Sequence, residues 1–111
     1  MERMQIFMDD IRPCPEDHIL ARTAEECVDL LREENSEIAH ISLDHDLGSK
    51  RQNGQAVVEY MISHQVYAER MTVHSANAIG GKIMYELLVN ARKDGIFPSY
   101  VKVYHRPLPL R

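Results

Sequence analysis

Short apolar runs alternate with amphipathic segments along almost all of this 111-residue chain, and that alternation limits the folds open to it. Five runs predict β-strands: Met4–Met8, His18–Arg22, Ile38–Leu43, Arg70–Val73 and Tyr100–Tyr104. Three segments with apolar residues at helical spacing predict helices: Ala24–Asn35, Gln55–Ala68 and Ala78–Arg92. Strands that alternate with helices form parallel sheets joined by right-handed crossovers. The pattern therefore predicts an α/β fold with an open, mainly parallel five-stranded sheet.

The connection between the first two predicted strands departs from this pattern. About seven residues, including Pro13 and Pro15, separate Asp10 from His18. The two prolines exclude a regular helix, and the segment is shorter than the dozen or more residues of an ordinary parallel crossover. Either the second strand is irregular or antiparallel, or the loop wraps around the edge of the sheet without a helix.

The sequence leaves two possible starting residues for the third predicted helix. Asn77 is a candidate N-cap for a helix that begins at Ala78, which places Gly80 and Gly81 in its first turn. Each glycine there costs about 1 kcal/mol relative to alanine, and close approach by a ligand or another backbone would explain that cost. A helix that begins near Lys82, with both glycines in the preceding loop, is the alternative.

Length and composition narrow the class of protein. Hydrophobic residues make up 44% and charged residues 27% of the chain, as in ordinary globular domains, and the length predicts one domain over residues 1–111. No apolar run approaches the roughly 20 residues of a membrane span. The start of the chain does not resemble a signal peptide, and two cysteines are too few for a disulfide framework. These features predict a cytoplasmic protein that does not bind a membrane.

The net charge of −4 is unevenly distributed. Residues 1–70 hold 7 Lys and Arg against 15 Asp and Glu, which gives −8, and residues 71–111 hold 6 against 2, which gives +4. This balance argues against a general nucleic-acid-binding surface. It permits an acidic, metal-binding half that faces a basic half able to hold an anion, with unrelated solvated faces as the alternative. The oligomeric state is left open.

Acidic, histidine and other polar residues follow four of the five predicted strands. In open α/β sheets ligands bind beyond the carboxyl ends of the strands, and in the strand order 2-1-3-4-5 these four ends are neighbours. Because charged groups are rarely buried unless they are paired or bind metal, one joint site is predicted at this edge. His18, His40 and His64 lack this context and are expected to be structural.

Divalent metal binding is the role expected of the carboxylates in this joint site. The predicted ligands are Asp9, Asp10, Asp44 and Asp46, with orientation of a histidine as a second role for Asp46. Carboxylate oxygens suit Mg²⁺ or Mn²⁺, and an added histidine ligand would favour a transition metal such as Zn or Fe. An Asp–Arg or Asp–His pair without metal is the alternative.

Acid–base catalysis and phosphate binding are the roles expected of the remaining polar residues. The predicted acid–base residues are His74, His105 and His45, since an imidazole titrates near neutral pH. The first two are expected to lie on either side of a phosphate, unless one of them binds metal. The predicted phosphate-binding residues are Ser75, Asn77 and Arg106, because a helix N-terminus and a guanidinium both suit an anion.

Three motifs together resemble a known family. They are Met8-Asp9-Asp10-Ile11-Arg12-Pro13, Ser42-Leu43-Asp44-His45-Asp46-Leu47-Gly48 and His74-Ser75-Ala76-Asn77. Their placement is similar to that in receiver domains of two-component signalling, and the combination resembles the receiver-derived cyclic-phosphate-processing receiver domains. The resemblance implies a receiver-like, flavodoxin-like fold with strand order 2-1-3-4-5, here without the helix between the first two strands.

The same resemblance implies a function. A cyclic-phosphate-processing relative is expected to be a metal-dependent phosphoesterase that hydrolyses a cyclic or terminal phosphate on a nucleotide-like or RNA-end substrate. Its expected partner is therefore a phosphorylated small molecule or a nucleic-acid end. In ordinary receivers the third-strand aspartate accepts phosphate, so a divergent receiver that takes a phosphoryl group on Asp44, or docks a partner, is the alternative. Arg106 in place of the expected lysine and the added histidines count against it, and a metal-stabilised structural domain is the third possibility.

Overall fold

The strands form one sheet, and all of them run in the same direction. The computed structural model describes residues 3–33, 37–48 and 52–109. Its elements are β1 (Met4–Met8), β2 (Ile19–Ala21), α1 (Ala24–Leu31), β3 (Ile38–Leu43), α2 (Gly54–His64), β4 (Arg70–Ser75), α3 (Ala78–Lys93) and β5 (Lys102–Pro107). The strand order is β2-β1-β3-β4-β5, with every neighbouring pair parallel. The predicted fold class and strand order are confirmed.

The loop between β1 and β2 decides whether the second strand is antiparallel or is reached by a loop without a helix. β2 lies parallel to β1, with Ile19 opposite Ile6, although residues 9–18 contain no helix. The loop returns the chain to the start of β2 through a turn in which the His18 N–H donates to the Pro15 carbonyl at 3.3 Å. Residues 9–18 therefore carry the crossover without a helix, and the antiparallel alternative is wrong.

All three helices cover the same face of the sheet. The connections β2–β3, β3–β4 and β4–β5 all progress in one direction across the sheet, and right-handed crossovers then place their helices on one side. α2 packs against both α1 and α3. The β1–β2 connection progresses in the opposite direction, so its crossover belongs to the other side, where no described helix lies.

The hydrophobic core fills the space between this sheet face and the helices. Ile6, Met8, Ile41 and Leu43 are fully buried on β1 and β3, together with helix residues such as Met84. Burial of such side chains contributes about 1.5–3 kcal/mol each relative to exposure. Within the described part of the chain, no helix combines the length and the apolarity needed to cross a membrane.

β4 and β5 extend further than the sequence pattern predicted. The parallel pairing continues to Ser75 opposite Pro107, and it places His74 opposite Arg106. The prediction ended these strands at Val73 and Tyr104 because their apolar runs stop there, but ladder hydrogen bonds need only a paired backbone. Four of the predicted site residues therefore lie within strands, where successive side chains point to opposite faces.

The observed ends of α2 and α3 differ slightly from the predicted ones. α2 ends at His64 instead of Ala68, because Gln65 takes a left-handed conformation (φ 56°). α3 begins at Ala78, where the Asn77 side chain accepts the Gly80 N–H at 2.8 Å, and it ends one residue beyond the predicted Arg92. The alternative start near Lys82 is wrong. The predicted end of the first helix at Asn35 lies outside the described residues.

Candidate functional site

Asp9 anchors the turn that follows β1. Its side chain is fully buried, and Oδ1 accepts hydrogen bonds from the backbone N–H groups of Ile11 (3.0 Å) and Arg12 (2.9 Å). Oδ2 accepts from Arg12 Nη1 at 2.8 Å and from His74 at 3.0 Å. Burial alone would raise the pKa of Asp9, but these hydrogen bonds outweigh it and lower the pKa to about 2. Asp9 is therefore an ionised carboxylate whose oxygens are already engaged.

Asp44 lies beside Asp9 at the end of β3 and has the opposite electrostatic balance. The Arg12 guanidinium that binds Asp9 also reaches Asp44 Oδ2 at 3.3 Å, so one cation bridges two buried carboxylates. Burial raises the pKa of Asp44 to about 6, and repulsion from Asp9 adds to the effect. Like charges this close favour the protonated form of one partner. Asp44 is the carboxylate of the pair that stands to gain most from a further cation.

His74 completes a buried chain of hydrogen bonds across three strands. Its Nε2–H donates to Asp9 Oδ2 at 3.0 Å, while its Nδ1 accepts from the Ser42 hydroxyl at 2.6 Å. The ring stacks on Phe7 with 4.7 Å between centroids. Burial lowers the pKa of His74, although the bond to Asp9 opposes that shift. Both ring nitrogens are occupied, so His74 positions Asp9 in this arrangement.

Ser42, like Arg12, is a functional residue that the sequence analysis quoted only within a motif and to which it assigned no role. It is buried beside His74 on the face of β3 that lies away from the helices. The available signal was a hydroxyl within an otherwise apolar strand, between Ile41 and Leu43. A buried hydroxyl needs a hydrogen-bond partner, and in this fold only a neighbouring strand on the same face could supply it.

An open cleft adjoins Asp44 beyond the end of β3. The cleft has a volume of about 250 Å³, and Asp10, Asp44 and Asp46 line it together with Arg12 and Gly48. Gly48 has a φ of 66°, and a Cβ atom there would lie 2.9 Å from an Asp10 carboxylate oxygen. The glycine therefore lets the loop after β3 approach the turn after β1. Three of the four predicted metal ligands share this cleft.

His45 and Asp46 form a dyad against the start of α3. His45 Nδ1 donates to Asp46 Oδ1 at 2.7 Å, and the Asn77 side chain donates to the same oxygen at 3.2 Å. The hydrogen bond from His45 lowers the pKa of Asp46. A Cβ atom on Gly80 would lie 2.5 Å from the His45 ring, so the ring occupies the space that this glycine leaves free. Asp46 thus lies in hydrogen-bond contact with His45, as its second expected role would require.

His105 lies on the helix side of β5, beneath the same turn of α3. A Cβ atom on Gly81 would approach His105 Nε2 to 3.1 Å, and the imidazole ring stacks on Tyr85. Nε2 is buried and has no hydrogen-bond partner among the described residues. The two glycines therefore make room for two imidazole rings, where a ligand or another backbone was expected.

The structure does not bring the predicted acid–base pair together. His74 and His105 occupy adjacent register positions of paired strands, so they lie on opposite faces of the sheet. The predicted phosphate-binding residues are also separated. Arg106 shares the helix-free face with His74, whereas Ser75 is buried on the helix side of β4 and its hydroxyl accepts the Asn77 N–H at 3.0 Å. Only Asn77 and Ser75 remain together near the cleft.

Among the residues that the structure describes, two groups of side chains have the donor chemistry for a divalent cation. Asp9, Asp44 and His74 are buried, with one possible ligand atom from each within 4.8 Å of the others. Arg12 already neutralises this trio, and the hydrogen bonds of His74 occupy both of its nitrogens. The cleft residues Asp10 and Asp44 fit a hard, partly hydrated cation better, because oxygen donors there face open space.

Comparison with known proteins identifies the family. A model of the cyclic-phosphate processing receiver domain matches residues 4–90, a span that runs from β1 into α3. It includes all four predicted metal ligands, while β5 lies beyond it. Searches of curated proteins and of solved structures gave no significant match. Since the match covers well over half of the chain, this protein belongs to the cyclic-phosphate processing receiver domain family.

Proposed function

We propose that the chain is a metal-dependent phosphoesterase that hydrolyses a cyclic or terminal phosphate on a nucleotide-like or RNA-end substrate. One observation carries this proposal: Asp44 joins the buried Asp9–Arg12–His74 network to an open cleft that Asp10 and Asp46 also line. A carboxylate held between a guanidinium and open space can share a cation with a bound phosphate. Membership of a family described by cyclic-phosphate processing supports the substrate class.

Asp10 and Asp44, with Asp46 at the rim, are the residues proposed to hold the metal in the cleft. Mg²⁺ or Mn²⁺ suits these oxygen donors, and Zn²⁺ or Fe would require a histidine ligand in addition. A bound divalent cation would polarise the phosphate and lower the pKa of a water molecule.

The chain's own residues are proposed to orient the phosphate and move a proton. Arg12 lines the cleft and carries guanidinium N–H groups that suit phosphate oxygens. The bond from His45 Nδ1 to Asp46 leaves Nε2 as the free nitrogen of that ring, with no partner among the described residues. His45 is therefore proposed as the acid–base group and Asp46 as its positioning residue.

Metal analysis of the purified protein, combined with a substrate screen, tests this function. The screen covers 2′,3′-cyclic nucleotides, ADP-ribose cyclic phosphates and simple phosphoesters, each with Mg²⁺, Mn²⁺ and Zn²⁺. We expect turnover that Asp44→Asn reduces by about a hundredfold or more. Asp94→Asn, at the exposed end of α3, is the matched control and retains full activity. Absence of turnover with every metal would contradict the proposal.

A divergent receiver that accepts a phosphoryl group on Asp44 is the second candidate. The proximity of the Ser75 hydroxyl favours it, because a hydroxyl beside the carboxylate could bond a phosphoryl oxygen. Incubation with acetyl phosphate and Mg²⁺ distinguishes the two functions. A stable acyl-phosphate on Asp44, detected by mass spectrometry and lost in Asp44→Asn, would support the receiver function and exclude the hydrolase.

A further inference from the structure

One half of the helix-free sheet face is open to solvent. On the β1–β2 side the loop of residues 9–18 covers it, since the Gln5 side chain donates to the Asp17 carbonyl at 3.3 Å and His18 bonds His40 at 2.9 Å. On the β4–β5 side no described element lies over the sheet. We call the exposed residues there the open strip; they are Arg70, Lys102, Tyr104 and Arg106.

The open strip concentrates positive charge without compensation. Arg70 lies directly opposite Lys102, and like charges opposite one another destabilise a sheet. No ion pair joins Arg70, Lys102 or Arg106 to a carboxylate in the described part of the chain. Neither β4 nor β5 contains an Asp or Glu. A ligand that offsets the repulsion among these cations must be anionic.

The open strip also presents an aromatic ring between two of its cations. Tyr104 is 48% exposed and lies two residues from both Lys102 and Arg106 on the same face of β5. At about 3.3 Å per residue, the distance from Lys102 to Arg106 is about 13 Å, which corresponds to about four stacked nucleotides of a single strand. Cations that track a backbone and a ring on which bases stack are the two features of single-strand recognition.

The open strip leads to the proposed catalytic site. Arg106 lies opposite His74 in the β4–β5 ladder. A strand that follows β5 towards Arg106 therefore ends at the edge of the sheet where Asp9 and Asp44 lie.

We propose that the open strip binds a short single strand of RNA and directs its phosphate end to the cleft. This inference rests on the proposed function, because a 2′,3′-cyclic phosphate requires the ribose 2′-hydroxyl that DNA lacks. The overall acidity of the chain remains compatible with it, since the open strip is a local patch and not a general nucleic-acid surface. An acidic peptide would meet the same cations but would leave the exposed Tyr104 ring without a stacking partner.

Fluorescence anisotropy tests the proposal through binding, independently of turnover. The probe is a labelled six-nucleotide oligouridylate with a 2′,3′-cyclic phosphate end, and the competitor is uridine 2′,3′-cyclic phosphate. We expect the oligonucleotide to bind at least about tenfold more tightly than the mononucleotide. Tyr104→Ala should weaken oligonucleotide binding at least about fivefold, while Tyr104→Phe retains it.

Matched controls separate the open strip from the rest of the surface. Tyr100→Ala removes another exposed tyrosine, and Lys93→Glu removes a cation at the end of α3; neither should alter the affinity. Lys102→Glu should weaken binding and reduce its dependence on salt. Thermal melts of each variant verify that the fold is retained.

Three results would overturn the proposal: equal affinity for the oligonucleotide and the mononucleotide, unchanged binding by Tyr104→Ala, or equally tight binding of a hexaglutamate peptide. A failure of the proposed function gives a different result. In that case the wild-type protein hydrolyses no phosphoester, but its affinity for the oligonucleotide still depends on length and on Tyr104, which supports RNA binding by the open strip.

Discussion

Ser42 shows how a single hydroxyl fixes the chemistry of a neighbouring imidazole. Asp9 is ionised and can only accept, so the Nε2 of His74 carries the proton and its Nδ1 must accept from Ser42. The ring is held in one tautomer and one orientation. In that state His74 supports Asp9 and is not free to exchange a proton with a ligand.

Replacing Ser42 with alanine should therefore destabilise the protein more than its small size suggests. The variant leaves the buried Nδ1 of His74 without a partner, at a cost of about 1–3 kcal/mol in the free energy of unfolding. Urea denaturation measures the change. Ser63→Ala, which removes an exposed hydroxyl bonded to the Tyr60 carbonyl, is the control and should change stability by less than about 0.5 kcal/mol. Equal effects of the two variants would show that the Ser42–His74 bond contributes nothing.

His40 contributes a pH-dependent term of known sign to the free energy of unfolding. Burial lowers the pKa of His40 to about 4, and the charges of Arg70, His18 and His74 contribute. The imidazole of His40 takes up a proton near pH 6.5 in the unfolded chain but only near pH 4 in the folded protein. The contribution of His40 to the free energy of unfolding therefore falls as pH drops through this window. The loss is about 1 kcal/mol once solvent screening is allowed for. Between pH 7 and pH 4.5 the wild-type protein should lose about 1 kcal/mol more stability than His40→Gln, as measured by urea titration. If the stability of the two proteins changes in parallel with pH, His40 is not the group responsible.

At the scale of elements, the first turn of α3 is shaped by what packs beneath it. Glycine inside a helix normally costs about 1 kcal/mol relative to alanine. Gly80 and Gly81 are retained in a first turn where the rings of His45 and His105 lie too close for a methyl group. The helix start is thereby adapted to the two histidines.

A double-mutant cycle tests this packing. Gly80→Ala should destabilise the wild-type protein by about 1–3 kcal/mol, because the new methyl group overlaps the His45 ring. In a His45→Ala background the overlap is gone, and the same substitution should stabilise the protein by up to about 1 kcal/mol. The change of sign, measured by chemical denaturation, is the expected result. The same sign in both backgrounds would mean that His45 does not occupy the space beside Gly80.

The sheet as an element explains why polar side chains occur within its strands. Parallel sheets usually have both faces covered and read as continuous apolar runs. Here one face carries the helices, and the other carries residues such as Gln5, His40 and Thr72 that hydrogen-bond across strands and to the loop 9–18. The polar residues of β3 and β4 occur because the helices cover only one face of the sheet.

At the scale of the whole molecule, the two cysteines report on the integrity of the core. Cys27 is fully buried on α1, and burial raises its pKa to about 12, whereas Cys14 lies half-buried on the loop 9–18. Thiolate is the reactive form. Iodoacetamide should therefore modify Cys14 alone in the native protein and Cys27 only after unfolding, as intact-mass spectrometry can show. Modification of both at similar rates without denaturant would contradict the packing of α1 on the sheet.

The sequence by itself determined the α/β fold class, and the resemblance of its three motifs to receiver domains implied the strand order 2-1-3-4-5. The fold class could be predicted because the apolar periodicity, the prolines of the first connection and the caps at Thr23 and Asn77 are local signals that the structure retains. The grouping of Asp9 and Asp44 also follows from topology alone, since β1 and β3 are neighbours.

Only the tertiary structure decided which face each polar side chain occupies and which partner it binds. The extent of the β4–β5 ladder depends on pairing between strands 27 or more residues apart, and not on the local run of apolar residues. One residue more or less moves a side chain to the opposite face of the sheet. That is why the predicted pair of His74 and His105 is separated, and why the Ser42–His74 bond and the close packing of His45 on Gly80 could be seen only in the folded chain.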